Sequence, residues 1–189
     1  MARVAGILMP ITSLSSPYGI GTIGKEAREF ADFLKASGQK IWQILPVGPT
    51  SYGDSPYQSF SSYAGNPYFI DPALLMEEGL LTRQELEAIP NRERVDYGEL
   101  YTTRYPLLRK AFSRDRAFDP RAFVGENPWA EDYALFMALK SFFKEVSFRE
   151  WPEDIRMHWG FALDYYNRTL YFDVEFQKYL QFKFDQQWT

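Results

Sequence analysis

Residues Val47–Asp71 read VGPTSYGDSPYQSFSSYAGNPYFID and follow directly on the apolar run Lys40–Leu45. Glycine and proline recur in and just before this stretch, at Pro46, Gly48, Pro49, Gly53, Pro56, Gly65 and Pro67. Since proline removes a backbone donor and glycine favours turns, the stretch predicts a long ordered loop after a buried strand. Loops of this length are functional or disordered, and six Tyr and Phe side chains argue against disorder. We call Val47–Asp71 the aromatic loop.

The chain before the aromatic loop predicts a β–α–β unit. Gly6–Pro10 and Lys40–Leu45 are short apolar runs, and between them Lys25–Ala36 has apolar residues at helical spacing, with Gly38 as its C-terminal cap. Runs without polar alternation indicate parallel strands buried on both faces, with a right-handed crossover. The first loop, Ile11–Gly24, and the aromatic loop then both leave the strands at the edge where parallel α/β folds bind ligands.

Every later segment with a recognisable pattern predicts a helix. The expected helices are Pro72–Glu78, a turn or two after the capping box Thr82–Glu85, the apolar stripe Leu100–Phe112, Trp129–Lys144 after the cap Asn127-Pro128, and Leu163–Trp188. Tyr105-Pro106 is expected to break or kink the stripe. The last helix lacks Gly and Pro and is too apolar for a surface helix, so it is either buried between layers or covered by a missing partner.

Composition narrows the classes of function. The chain has 189 residues, 46% of them hydrophobic, and carries a formal charge of -4. An acidic balance gives no basic surface for nucleic acid or an anionic membrane, whereas a small neutral ligand is compatible with it. There is no cysteine, no signal peptide pattern and no apolar run near 20 residues, so we expect no disulfide and a reducing, cytoplasmic address.

The residue types exclude several chemistries. His158 is the single histidine and is expected to be structural on a helix, since no second His or Cys could complete a zinc site or a catalytic pair. Gly19–Gly24 spells G-x-G-x-x-G but follows a loop rather than a strand, so a dinucleotide site is not expected. We therefore expect no metal and no cofactor. Glycoside chemistry needs two converging carboxylates, and only Asp54 and Asp71 lie in or beside the aromatic loop.

Several loop residues are candidates for holding a ligand. Tyr57 follows Pro56, whose fixed φ would hold the ring as a stacking platform, and packing inside the loop is the alternative. Asp54 could accept a sugar hydroxyl or cap its own turn, whereas Asp71 before Pro72 is expected to cap a helix. Four further polar side chains could orient hydroxyls, namely Tyr52, Ser55, Gln58 and Asn66. Asn66-Pro67 could instead simply shape a turn.

Long motifs carry a family resemblance over essentially the whole chain. GILMPITSLSSPYGIG (6–21), WQILPVGPT (42–50) and SPYQSFSSYAGNPY (55–68) closely resemble the amino-terminal part of amylomaltases, which are 4-α-glucanotransferases. The resemblance continues through EDYALFMALK (131–140), WPED (151–154) and LQF (180–182). It implies an α/β fold, the first two strands of a (β/α)8 TIM barrel, with a mostly helical insertion after the second strand. The expected divisions are 1–71, the 72–160 insertion, and 161–189 returning toward the barrel.

The resemblance also implies an activity and roles for residues. That family transfers α-1,4-glucan segments between malto-oligosaccharides by a retaining double displacement, with its nucleophile Asp, acid/base Glu and stabilising Asp on later strands that have no counterpart here. Tyr57 resembles the family's donor-side stacking tyrosine, with Asp54, Ser55 and Gln58 beside it. Tyr52 resembles an aromatic of a remote glucan-binding surface, together with Tyr97.

These expectations leave three hypotheses. The leading one is a fragment of a 4-α-glucanotransferase that is inactive alone and carries part of the glucan cleft. The alternatives are a stand-alone α-glucan-binding module and a helical interaction domain. With the remainder of a barrel missing, self-association through exposed apolar surface is also expected.

Overall fold

The structure, a computed structural model, describes residues 3–51 and 53–189. Strands β1 (Gly6–Leu8) and β2 (Ile41–Gln43) pair in parallel with Ile7 opposite Trp42, and helix α1 (Lys25–Ala36) connects them. Gly38 follows α1 at φ 74°, the left-handed conformation that ends many helices. The predicted parallel β–α–β unit is therefore confirmed.

The prediction that both strands are buried is wrong. All three residues of β1 are exposed, and in β2 only Trp42 is half-buried. A helix on one side cannot cover two faces of a sheet, and the described residues supply only two strands. The apolar residues of these strands therefore form a surface that is exposed to solvent in this structure.

Helix α1 covers its side of the sheet through aromatic contacts. Phe30 lies edge-on to Trp42, with ring centroids 5.0 Å apart. The Trp42 indole N–H donates to the Met9 carbonyl at 2.8 Å, just beyond β1. This contact fixes the ends of both strands where the two loops begin.

Eight further α-helices follow the aromatic loop in the described chain. They are α2 (Pro72–Glu77), α3 (Arg83–Glu87), α4 (Tyr97–Arg114), α5 (Pro120–Glu126), α6 (Trp129–Phe142), α7 (Glu153–Arg156), α8 (Gly160–Thr169) and α9 (Tyr171–Trp188). The capping box is confirmed: Thr82 and Glu85 exchange side-chain and backbone hydrogen bonds at the start of α3.

Four predicted details of these helices are wrong. The break that was one alternative at Tyr105-Pro106 does not occur: helix α4 continues through Pro106, because Leu107, Leu108 and Ala111 bury its inner face around the proline. Asn127 ends α5, a helix the sequence analysis missed, and Pro128 stands before α6. The predicted helix Leu163–Trp188 divides at Leu170, whose carbonyl accepts from the Asp173 and Val174 amides to start α9. His158 lies in an exposed turn at φ 55° rather than on a helix.

The chain divides into two compact units. The first unit contains residues 1–116 and 183–189, and the second contains 117–182. In the first unit, the Lys183 ammonium binds the carboxylates of Glu78 at 2.5 Å and Asp115 at 2.9 Å. The phenyl ring of Phe184 occupies the space that a β-carbon at Gly65 would need. The predicted three-part division remains a prediction.

The second unit has its own apolar core. Trp151 packs among the rings of Phe136, Phe143 and Phe148, at centroid distances of 5.3 to 5.5 Å. The same cluster contains Leu170, the residue at the break between α8 and α9.

Residues 3–51 and 53–189 contain no helix that combines the length and apolar character needed to cross a bilayer. Within the same ranges, no group of three His, Cys, Asp or Glu side chains could hold a metal ion.

Candidate functional site

The two loops leave the strands at one edge, as predicted. A small cavity of about 90 Å³ lies between the ends of both strands and the aromatic loop. It is lined by Pro10, Ile11, Thr12, Leu45, Pro46, Thr50, Pro56, Asn66, Phe69 and Tyr97. The cavity therefore collects residues from the first loop, the aromatic loop and the start of α4.

The aromatic loop rises from this edge as a closed turn. An antiparallel bridge joins Thr50 and Ser59 at its base. Above the bridge, the Asp54 amide donates to the Ser51 carbonyl at 3.0 Å, and the Gln58 amide donates to the Ser55 carbonyl at 3.1 Å. Asp54 adopts a positive φ of 54°, which short polar side chains tolerate in turns. These bonds shape the segment that carries most of the predicted ligand residues.

Tyr57 stands at the tip of this turn with 73% of its surface exposed. Its amide donates to the Ser55 hydroxyl at 3.3 Å, so Ser55 helps to set the backbone there. Gln58 is exposed beside it. Packing inside the loop, the alternative for Tyr57, does not occur in this structure. Tyr52 lies outside the described residues.

Asn66 and Asp71, farther along the loop, have structural partners. The Asn66 side chain accepts from the Tyr68 amide at 3.0 Å, and the residue is buried, which matches the turn alternative. The Asp71 carboxylate accepts from the Ala73 and Leu74 amides and caps α2, as predicted. A contact between Asn66 and a ligand remains a prediction.

Asp54 and Tyr97 come together across an open depression of about 600 Å³. Its lining consists of Asp54, Arg92, Glu93, Arg94, Val95, Asp96, Tyr97 and Gly98. Burial raises the pKa of the Tyr97 phenol, and the Asp54 carboxylate raises it further. The same two causes raise the pKa of Tyr68, whose ring lies edge-on to Tyr97 at 6.0 Å. Asp54 therefore places a negative charge close to both phenols.

Several residues at this depression were not predicted from the sequence. Glu93 and Asp96 line it together with Asp54, and the Asp96 carboxylate also accepts from the Glu99 amide at 3.0 Å to cap α4. The Arg92 guanidinium donates two hydrogen bonds to the Glu99 carboxylate, at 2.8 and 3.1 Å. These bonds lower the pKa of the Glu99 carboxyl. The sequence feature that points to these residues is the dense run of charged side chains at 92–96, just before Tyr97.

A row of tyrosines extends the aromatic surface along α4. Tyr101 and Tyr105 follow Tyr97 at intervals of four residues, which puts all three on one helical face. The ring centroids of Tyr101 and Tyr105 lie 5.8 Å apart, and Tyr101 is exposed. Aromatic rings beside carboxylates and guanidinium groups can contact a neutral polyhydroxyl ligand by stacking and by hydrogen bonds.

Fold and loop together define the class as a mostly helical α/β protein, with a two-stranded parallel sheet and an aromatic loop at its strand ends. The chain belongs to the 4-alpha-glucanotransferase family, because residues 9–189 match the model of that family.

Similar proteins carry the same description. The 4-alpha-glucanotransferase of Clostridium butyricum is 46% identical over 187 residues, which cover 95% of this chain and 38% of that protein. The Thermus thermophilus 4-alpha-glucanotransferase is 44% identical over 199 residues, covering 100% of this chain and 39% of that protein. The chain thus spans about two fifths of the length of these relatives.

Solved structures agree with the sequence relatives. The amylomaltase from Streptococcus agalactiae in complex with acarbose superposes with a TM-score of 0.93 at 39% identity, covering 99% of this chain and 40% of that chain. The amylomaltase from Corynebacterium glutamicum gives a TM-score of 0.71 at 21% identity over 97% of this chain and 27% of that chain, a similarity of fold alone.

Proposed function

We propose that this chain is part of a 4-α-glucanotransferase that moves α-1,4-glucan segments between malto-oligosaccharides by a retaining double displacement. In this proposal the chain contributes the aromatic loop and Tyr97 to the glucan cleft, and the catalytic carboxylates come from polypeptide outside these 189 residues. Family membership and the acarbose complex of a similar amylomaltase support the substrate class. The cytoplasmic address is part of the same proposal.

The observation that carries the proposal is the exposed ring of Tyr57. Pro56 precedes it and restricts the backbone, so the ring is presented to solvent with little freedom to lose on binding. An exposed aromatic held in this way is suited to stacking on the apolar face of a sugar ring. Asp54 and Gln58 on the same turn supply groups that hydrogen-bond hydroxyls.

We also propose that β1 and β2 are the first two strands of a (β/α)8 barrel and that most of the later helices form an insertion. Parallel pairing and apolar strand residues left uncovered favour this arrangement over an isolated helical domain.

Calorimetry with maltoheptaose tests the glucan-binding part of the proposal. Tyr57→Ala should lower the affinity by about 2- to 13-fold, because an aromatic stacking contact contributes about 0.5 to 1.5 kcal/mol. Tyr57→Phe should retain most of the affinity, since it keeps the ring.

Tyr63→Ala is the matched control, because Tyr63 is similarly exposed in the same loop but follows Ser62 rather than a proline and lies outside the turn closed by the Thr50–Ser59 bridge. An unchanged affinity in Tyr57→Ala, or an equal loss in Tyr63→Ala, would contradict the proposal. The wild-type chain alone should release no glucose from maltotriose above a heat-killed sample. Release of glucose would show that the necessary carboxylates are present here.

A further inference from the structure

The buried Arg104 of α4 hydrogen-bonds to both the first loop and the aromatic loop. Its side chain is only 1% exposed. One terminal nitrogen donates to the carbonyl of Ile70 at 3.2 Å, at the end of the aromatic loop. The other donates to the carbonyl of Tyr18 at 2.8 Å, in the first loop. A single guanidinium thus spans two segments that are far apart in the sequence.

Further buried hydrogen bonds cross the same junction. The Thr22 hydroxyl of the first loop donates to the Asp71 carboxylate at 2.5 Å. The Gln187 amide of α9 binds both backbone groups of Asp71, accepting from its N–H at 2.6 Å and donating to its carbonyl at 3.3 Å. The Ile23 amide donates to the Phe69 carbonyl at 3.0 Å. Both loops are therefore held at their roots by polar groups without access to water.

Stability alone does not favour an arginine at position 104. Its position lies on the apolar stripe of α4, between Leu100 and Leu107. Burial lowers the pKa of Arg104 to about 10, which leaves the group charged at neutral pH, and the Asp71 carboxylate opposes this decrease. A buried charge whose hydrogen bonds go to backbone carbonyls carries a desolvation penalty that an apolar side chain would avoid. What an apolar side chain cannot do is fix the carbonyls of both loops.

We propose that Arg104 is a positioning residue, which sets the first loop and the aromatic loop in the arrangement that binds glucan. This inference rests on the proposed function and adds to it a residue that does not touch the ligand. It acts through Tyr18 on one side and Ile70 on the other.

Arg104→Met tests the inference, because methionine keeps much of the apolar stem and removes every donor. Amide hydrogen exchange is measured by residue and maltoheptaose binding by calorimetry. We expect faster exchange at residues 18–23 and 66–71, with exchange in α6 unchanged, and an affinity lowered by about tenfold. Arg104→Lys should not restore either property, since one ammonium cannot reproduce the fork that reaches both carbonyls.

Arg114→Met is the matched control on the same helix. Arg114 donates to the carbonyl of Leu80 and pairs with Glu85, so its loss should lower the melting temperature without changing exchange in either loop. Unchanged exchange in both loops of Arg104→Met, wild-type affinity in that variant, or full rescue by Arg104→Lys would each overturn the proposal.

If Arg104→Met does not fold, the same hydrogen-exchange measurement is made on Thr22→Val. This substitution removes the hydroxyl that reaches Asp71 while preserving shape, and we expect the same local pattern of exchange with smaller amplitude. Unaltered exchange in the aromatic loop would overturn the proposal. If the wild-type chain fails to bind maltoheptaose, the proposed function fails, while the exchange data still decide whether the junction positions the loops.

Discussion

At the scale of single residues, the two tryptophans Trp42 and Trp151 differ in how their indole N–H groups are used. The N–H of Trp42 donates to the Met9 carbonyl. Trp151 is buried, and its N–H has no hydrogen-bond acceptor among the residues that the structure describes. A buried donor without a partner costs about 1 to 3 kcal/mol relative to a paired one. The indole of Trp151 therefore stabilises the core by its packing and not by a hydrogen bond.

Trp151→Phe should change the free energy of unfolding by less than about 1 kcal/mol. Phenylalanine loses part of the packed volume but also removes the unpaired donor, and the two effects offset each other. Trp151→Ala should cost about 3 to 5 kcal/mol, since it leaves a large cavity among three phenyl rings. Urea unfolding measures both values.

Trp42→Phe is the comparison for this prediction, because it breaks a hydrogen bond that is made in the folded state. It should destabilise the chain more than Trp151→Phe does, although Trp42 is less buried. The reverse order would show that the Trp151 indole finds a partner after all.

At the scale of elements, helices α3 and α4 are joined by one carboxylate. Glu85 accepts two hydrogen bonds from the Arg114 guanidinium, at 2.7 and 3.0 Å, and one from the Thr82 amide at 3.0 Å. Lys110 adds an ion pair at 3.2 Å. Arg114 contributes most and the capping bond second, and together they hold the pKa of Glu85 well below its usual range.

The stability of the chain should consequently depend on Glu85 at low pH. A carboxyl whose pKa is lower in the folded state stabilises that state above its unfolded pKa of about 4.3, and the contribution is lost as the pH falls below that value. Urea unfolding between about pH 7 and pH 3 should show a steeper loss for wild type than for Glu85→Gln. Parallel profiles would contradict this prediction.

Glu87→Gln provides the control within α3. Its carboxylate forms an exposed ion pair with Arg83 at 3.3 Å, a type of pair that contributes little. The pH profile of this variant should follow that of wild type.

Local signals predicted the elements whose ends are determined by neighbouring residues. The Thr82–Glu85 box and the cap at Asp71 depend on side chains within four positions of the backbone they bind, and the end of α1 is marked by the positive φ of Gly38. The break at Leu170 and the passage of α4 through Pro106 depend on packing against distant residues, and no local sequence signal marks them.

The candidate site divides in the same way. Asp54, Ser55, Tyr57 and Gln58 lie on one short turn, so their proximity follows from the sequence. Glu93 and Asp96 enter the depression from a segment about forty positions later, and Arg104 reaches the loop roots from within a helix. An arginine within an apolar stripe was the available hint of the buried junction.

At the scale of the whole molecule, the two strands leave an apolar surface in water. Val4, Ile7, Leu8 and Ile41 are each at least 40% exposed, and β1 and β2 are both edge strands of the described two-stranded sheet. Such surfaces promote association with another chain. We propose that the isolated 189-residue chain associates with itself through this sheet.

Sedimentation at increasing protein concentration should reveal this association. Ile41→Lys should shift the chain toward the monomer, because it places a charge on the sheet surface without disturbing a packed core. Phe172→Lys, at an exposed aromatic of α9 away from the sheet in sequence, should leave the association unchanged. A wild-type chain that stays monomeric at every concentration would refute the idea.

The close approach of Gly65 and Phe184 also constrains how this sequence can evolve. Any β-carbon at position 65 would collide with the ring at position 184. Mutations at these sites are therefore expected to be accepted in a fixed historical order, in which the ring is first exchanged for a smaller group and only then does alanine become permissible in place of the glycine. Among descendants of this chain, the two sites should drift as a linked pair.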